Sequence, residues 1–452
     1  MKRPYERPSI IKTIHNFSNK FAINNKIEIM EEIDGIAVKK LIEEFGSPLF
    51  VFSEAKIRQQ YQRVHAAFKK HYPNFQLAWS YKTNYLQAIC ALFHQQGSLA
   101  EVVSDFEYEK ALKLGIEPCD ILYNGPFKSL ESLRKSVKGG SYIHIDNLEE
   151  ILHLEKIAQE VSIRPKVALR INMDTGIYPA WTRFGFNLEN GEADYMIQRI
   201  LKNNKMDLVG LHTHIGTFIL SPDAYCKAIK KLIDLYQKIQ KNHSITLEYL
   251  DLGGGLPSSG KLKSQYLPNS VLIMPVEQYA DKITNVLKES FRHKEGPKLY
   301  LETGRALIDD AGYLITTVHA KHRLPDNRNA LVLDAGLNLL FTSQFFDINV
   351  YPAQSYHGSL ENIVLYGPLC MNMDVIRESV QLPHLNTGDS LVLNPVGAYN
   401  VTQWMQFIHT RPAVVMISSA RKPLLIRRKE TLQDVEAAEV LPEQYRLLEE
   451  ET

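Results

Sequence analysis

Between residues 76 and 305, short apolar runs rich in β-branched residues alternate with longer stretches whose apolar positions recur at helical spacing. That pattern predicts repeated strand–helix units. Eight runs read as strands: QLAWSYK (76–82), SLAEVVS (98–104), ILYNG (121–125), SYIHID (141–146), KVALRIN (166–172), LVGLHTHIG (208–216), LEYLDLGGG (247–255) and KLYLETGR (298–305). Segments such as FEYEKALKLG, KSLESLRKSV, NLEEILHLEKIAQE and AYCKAIKKLIDLYQKIQKN fill the gaps as helices. Eight such units in about 230 residues match the size of a (β/α)8 barrel; an open doubly wound sheet is the rival. The polar residues favour the barrel. Lys82, Ser104, Gly125, Asp146, Arg170 with Asn172, His214, Gly253 to Gly255, and Glu302 with Arg305 all stand at strand C-termini. In a barrel those ends converge on the face that carries the active site.

After about residue 310 the texture changes to strands without long helices between them: YLITTVHAKH, ALVLDAG, NIVLYGP, DSLVLNPVGAY and AVVMIS. This reads as a separate antiparallel β domain. The expected organisation is an N-terminal segment joining the β domain (1–47), the barrel (48–308, with LFVFS at 49–53 inside it), the β domain (309–425) and a charged, partly disordered tail (426–452).

The 452 residues, 44% of them hydrophobic, suffice for a large core divided between two domains. The 52 lysines and arginines almost cancel the 51 acidic residues, which argues against nucleic acid or an anionic membrane as partner and favours a small molecule. Cys90, Cys119, Cys226 and Cys370 lie far apart with no CxxC pairing. Neither a disulfide framework nor a metal site is expected, and a reducing, cytoplasmic setting fits. The basic N-terminus has no apolar run of signal-peptide length, and nothing approaches the ~18 apolar residues of a membrane span, so a soluble chain is expected.

Gly253 to Gly255 follow the seventh run and Gly304-Arg305 the eighth. Three glycines can simply make a tight turn, yet bare backbone N–H groups also approach a phosphate closely, and these two loops commonly form a barrel's phosphate site. Lys82 ends the first strand between aromatic neighbours. Such a lysine is either a solvated surface group or, beside a phosphate site, the amine that forms a Schiff base with an aldehyde cofactor. Glu302 would then meet the pyridine nitrogen of that cofactor, or simply pair with Arg305 or Arg170. His214 would lie against its ring, or be a hydrogen-bonded core histidine.

The ordered motifs GSPLFVFSE, YKTN, AEVVSDFEYEKALKLGI, RIN, RFGF, HTHIG, DLGGGL, ETGR, GPLCMNMD and GAY span roughly residues 25 to 420. Together they resemble the fold-type III decarboxylases dependent on pyridoxal 5'-phosphate (PLP), the family of diaminopimelate and ornithine decarboxylases, and most of all the diaminopimelate branch. The resemblance implies an alanine racemase-like (β/α)8 barrel plus a C-terminal antiparallel β domain, PLP as cofactor, and decarboxylation of an α-amino acid. It implies Lys82 as the Schiff-base lysine and His214 on the ring. Thr217, Gly253, Gly254, Gly255, Gly304 and Tyr399 would surround the phosphate. It further implies Glu302 at the pyridine nitrogen, Arg305 on substrate or phosphate, and Cys370 as proton donor to Cα. Cys370 and Asp374 would be lent to a partner's site, making a homodimer with shared active sites. Alanine racemase-like enzymes set an arginine against the pyridine nitrogen, so Glu302 favours decarboxylation over racemisation.

Three departures bear on substrate. Thr342 and Phe346 stand where the diaminopimelate branch has an arginine and a tyrosine, and Met371 where it has a glutamate for the distal amine. Lesser departures are Asp105-Phe106 for a glycine pair and Thr303 for a proline. A site that loses hydrogen-bonding groups loses discrimination of ~10⁴ or more. The expected substrate therefore has an altered distal end and is either free or carrier-bound; authentic meso-diaminopimelate decarboxylation, with Asn338, Gln344, Asn372 or Gln406 taking over the lost contacts, is the alternative.

Overall fold

The computed structural model describes residues 27–446 except 264, 268 and 293–295; the readings of the N-terminal 26 residues and of 447–452 lie outside them. Each of the eight runs forms a strand: Phe75–Ser80, Leu99–Val102, Ile121–Tyr123, Tyr142–Ile145, Lys166–Asn172, Asp207–His212, Tyr249–Asp251 and Lys298–Thr303. All eight pair in parallel, each with the next, and Lys298–Thr303 pairs with Phe75–Ser80 to close the circle. The open sheet is thereby excluded. Helices surround the barrel, and several begin where the sequence supplies an N-cap. Ser104, Ser129 and Asn147 accept the amides of Glu107, Ser132 and Glu150, satisfying backbone donors that a first helical turn leaves free. Among the described residues no helix is long and apolar enough to cross a membrane.

LFVFS departs from its expected place. Leu49–Ser53 pairs antiparallel with Gly312–Arg323 and parallel with Ala413–Ile417, so it is a central strand of the second sheet rather than part of the barrel. All five residues are buried. A strand covered on both faces reads as a continuous apolar run whichever sheet it joins, so its composition could not assign it. The helix that follows, Glu54–His71, returns the chain to the barrel wall, where it packs on Val276–Ser290.

The second sheet runs in the order Val375–Pro383, Leu360–Tyr366, Asn329–Leu333, Gly312–Arg323, Leu49–Ser53, Ala413–Ile417 and Pro423–Arg427. Its pairings are antiparallel except Asn329–Leu333 with Leu360–Tyr366 and Leu49–Ser53 with Ala413–Ile417. Ile33, Ile36, Val38 and Leu41 pack into its outer core with Leu49, Val51 and Tyr313. The expected tail is ordered well beyond residue 426. Pro423–Arg427 is a paired strand, Glu430 accepts from both Arg411 and Arg427, and Thr431 and Asp434 form a reciprocal capping box on the helix Leu432–Glu436. Charge there serves pairing and capping, which composition alone does not distinguish from solvation.

One buried ion pair pins the barrel mouth. Lys128 Nζ donates to Gly125 O (2.8 Å), His144 O (3.0 Å) and Glu150 Oε1 (2.8 Å), tying the ends of the third and fourth strands to the helix Leu148–Val161. Lys128→Ala would leave Glu150 buried without its cation, a loss of about 3–5 kcal/mol. A urea unfolding midpoint that reports a loss under ~1 kcal/mol would remove this pair from the stabilising contacts.

Candidate active site

The first strand ends at Ser80 and passes into a tight turn, Tyr81–Thr83, which projects Lys82 into the barrel mouth. Its Nζ lies 2.8 Å from both carboxylate oxygens of Glu101, at the end of the second strand. The Glu101 side chain is wholly buried, whereas 38% of the Lys82 side chain is accessible; the lysine stands on the floor of a well, ringed by protein and open above. Burial draws the ammonium's pKa down, but Glu101, then Tyr399 and Glu302, outweigh it and hold the group above the ordinary lysine range.

Glu302, near the end of the eighth strand, faces the same floor. Asn124 Nδ2 donates to its Oε1 and also to Glu101 Oε1 at 3.1 Å, so one amide bridges the two carboxylates. His212 Nε2 donates to Glu302 Oε2 at 3.2 Å, and His144 Nδ1 lies 3.6 Å from Oε1. Burial holds both imidazoles well below their ordinary pKa, leaving them neutral.

The glycine run forms the rim. Gly253 and Gly255 have φ of +64° and +98°, a conformation that side chains rarely tolerate. A Cβ on Gly254 would stand 2.4 Å from Glu302 O, and one on Gly255 2.4 Å from Gly216 O; bare backbone is required there. Gly254 N–H donates to His214 Nδ1 at 3.0 Å. Burial, then Arg170 and Lys82, press the His214 imidazole down to about 3, so it is neutral with its proton on Nε2. Trp181 meets it edge-on, the ring centroids 5.3 Å apart. A Cβ on Gly304 would fall 1.9 Å from Thr83 Oγ1, so the ends of the eighth and first strands touch. The Tyr399 N–H reaches Thr83 O (2.9 Å) from the second domain. Arg305 lies between two rings, its guanidinium carbon 4.4 Å from the Phe346 centroid and 5.1 Å from that of Tyr399. Its Nη1 donates to Asp309 Oδ2 at 3.0 Å, and its Nε is buried without a partner.

Lys82, His214, Gly253 to Gly255, Glu302, Gly304, Arg305 and Tyr399 are thus brought together at one mouth. Thr217 is exposed beyond the rim. Cys370 is exposed on a loop of the second domain beside the half-buried Met371. Two of the expected substrate residues have partners within the second domain. Asp374 is buried with Oδ1 accepting Leu337 N–H (2.7 Å) and Oδ2 accepting Leu369 N–H (2.8 Å); it fastens the loop, whose amides need an acceptor. Thr342 is buried, and its N–H and Oγ1 both donate to Asn400 Oδ1 at 3.1 and 2.9 Å, so its hydroxyl is engaged in the core. Ser104 caps a helix instead of facing the mouth, and Arg170 pairs with Asp146 at 3.2 Å.

Glu101, Asn124, His144, His212 and Asp251 were missed by sequence reasoning. Each lies within a predicted run, at or beside the C-terminal end of the strand that forms there, a polar side chain where a strand buried on both faces should be apolar. That signal was available in AEVVS, ILYNG, YIHID, LHTHIG and LDLGGG.

These residues fit a flat, phosphorylated aldehyde: an amine in a well, a neutral imidazole, a fixed carboxylate, and a rim of bare backbone beside an arginine with an unpartnered Nε. Residues 54–309 match the family model described as the pyridoxal-binding domain of pyridoxal-dependent decarboxylases. Diaminopimelate decarboxylase of Methanothermobacter thermautotrophicus is 28% identical over 439 residues, spanning 93% of this chain and 97% of that protein. The enzyme of the same name from Methanocaldococcus jannaschii is 29% identical over 449 residues, spanning 93% and 98%. A solved structure of diaminopimelate decarboxylase from M. jannaschii in co-complex with L-lysine superposes with a TM-score of 0.84 at 28% identity, covering 93% of this chain and 98% of that one.

Proposed function

The chain belongs to the pyridoxal-dependent decarboxylases, and from that premise we propose that its substrate is an α-amino acid whose distal end is neutral, extended or attached to a larger group, rather than free meso-diaminopimelate. It is a PLP-dependent amino-acid decarboxylase, most similar to diaminopimelate decarboxylase. What carries the narrower reading is the placement of Phe346, whose ring lies on the Arg305 guanidinium at 4.4 Å and so brings an apolar surface beside the arginine. Thr342 is engaged with Asn400, and Met371 carries no charge. The competing reading, retention of meso-diaminopimelate, is favoured by Asn338, whose buried Oδ1 has no partner and could accept from a distal ammonium. Product analysis by mass spectrometry, offering free meso-diaminopimelate alongside amidated and carrier-tethered amino acids, tests the assignment.

PLP, when bound, accepts the electron pair left at Cα as CO2 departs. Lys82 Nζ would be the attachment point, and Glu101, which accepts from it through both carboxylate oxygens, holds and orients the amine. Glu302, held by Asn124 and His212, keeps a proton on the ring nitrogen. His214, neutral and fixed by Gly254, would lie against the cofactor ring without adding charge, while the glycine rim and Arg305 would hold the anionic groups. Cys370, exposed on its loop, supplies the proton to Cα in the site of a second copy. On this reading the enzyme is a homodimer. Mixing inactive Lys82→Ala and Cys370→Ala chains should then restore up to about a quarter of the parent activity, since about half of the dimers are mixed and one of the two sites in each regains both groups. Refolded mixtures that stay inactive while size-exclusion chromatography shows dimers would refute the shared site.

A further inference from the structure

Asp251 ends the seventh barrel strand and is completely buried. Its Oδ1 accepts Gly253 N–H at 2.8 Å, whereas Oδ2 meets no donor. One side-chain nitrogen or carboxylate oxygen each from Asp251, Glu302, His144 and His212 all lie within 4.8 Å of one another. The groups that touch Glu302 are an amide and two neutral imidazoles. The nearest cations are already paired, Lys82 with Glu101 and Arg170 with Asp146. Two ionised carboxylates side by side in such a pocket, with no cation in contact, repel without the screening that water provides. A single proton between them removes the repulsion and gives the unpartnered Oδ2 a role as donor.

We propose that Asp251 is a positioning residue that keeps its proton at neutral pH and donates it from Oδ2 to Glu302. One carboxyl group thereby fastens the glycine rim through Gly253 and orients the carboxylate at the ring nitrogen. Burial and then the charge of Glu302 push the Asp251 carboxyl far up from its ordinary range, in the direction the geometry requires. The titratable groups around the pair are Glu101, His144, His212, Tyr249, Tyr300 and Glu302. The imidazoles are held neutral, the tyrosines' pKa values are raised by burial, and Glu101 accepts from Lys82 and Asn124. The shared proton rests on this chain's geometry alone; its effect on the cofactor rests also on Glu302 facing the ring nitrogen.

The two parts are read separately. Infrared difference spectra of apoenzyme at neutral pH, parent against Asp251→Asn, should show the C=O stretch of a buried carboxylic acid in the parent, shifted in heavy water and absent from the variant. In holoenzyme, Asp251→Asn keeps a donor toward Glu302 and an acceptor for Gly253, and should lose PLP on dialysis within about threefold of the parent rate. Asp251→Ala, lacking both, should lose it at least about tenfold faster. The infrared arm needs only the isosteric variant, so it stands whether or not Asp251→Ala folds. No carboxylic-acid band, or a stoichiometric divalent cation in the purified protein, would overturn the shared proton. An Asp251→Asn protein that loses PLP as fast as Asp251→Ala would overturn the positioning role.

Discussion

Purified Lys82→Ala protein is expected to lose its yellow colour on dialysis and to decarboxylate at least about 10³-fold more slowly than the parent, the scale of loss when a group acting directly in the chemistry is removed. The geometry singles out this lysine. Lys128 is also buried near the barrel mouth, but its ammonium is committed to two carbonyl oxygens and Glu150. Lys82 has one partner, Glu101, and open space above it. Removing its charge also leaves Glu101 buried and unpaired, a loss of about 3–5 kcal/mol, so inactivity alone would not separate a missing attachment point from a weakened fold. Lys82→Arg makes that separation. The guanidinium can satisfy Glu101 but has no free amine for an aldehyde, so this variant should resist urea like the parent and still be colourless after dialysis. Borohydride reduction of the parent, followed by peptide mapping, should place the label on Lys82. A label on any other lysine, or a Lys82→Arg protein that stays yellow, would displace Lys82 from the chemistry.

The barrel was legible because its strands are short, apolar and regularly spaced, and because polar residues collect at one end of each. Lys82, Glu302 and the glycine run could be read for the same reason: each is chemically out of place in an apolar strand. What escaped was set by contacts distant in sequence. LFVFS carries no mark of which sheet will cover it, and only its pairing with Gly312–Arg323, some 260 residues on, decides. Thr342 and Asp374 are substrate positions only by resemblance, and their bonds to Asn400 and to two backbone amides could not be read from sequence. The network Lys82–Glu101–Asn124–Glu302 joins four strand ends. Single members could be noticed as buried polar residues, but their mutual distances exist only once the barrel closes.

Free meso-diaminopimelate is expected to be a poor substrate, with kcat/KM below the ~10⁴ M⁻¹s⁻¹ that is ordinary for a cognate pair. An analogue with its distal end amidated or tethered should be turned over at least about 100-fold more efficiently, within the range by which a hydrogen-bonding site separates matched from mismatched polar groups. The distal end of meso-diaminopimelate carries both an ammonium and a carboxylate. Phe346 offers an apolar ring already stacked on Arg305, Thr342 has its hydroxyl on Asn400, and Met371 has no charge. A desolvated charge left without a partner costs several kcal/mol, whereas a neutral or solvent-directed extension avoids that loss. The three positions are not equally open to repair. Thr342→Arg would force a long cation into a buried hydrogen bond, and Phe346→Tyr would disturb the ring on Arg305. Met371 is only half-buried, between exposed Cys370 and Asn372, so Met371→Glu can be made with little strain and puts a carboxylate where the resemblance to the diaminopimelate branch expects one. It should raise kcat/KM for meso-diaminopimelate by about tenfold or more, chiefly through KM, because a contact made equally in ground and transition states lowers KM. Steady-state kinetics on the parent decide the matter first: an efficiency for meso-diaminopimelate above ~10⁴ M⁻¹s⁻¹ means the old substrate is kept, with Asn338 or a neighbouring amide holding the distal ammonium.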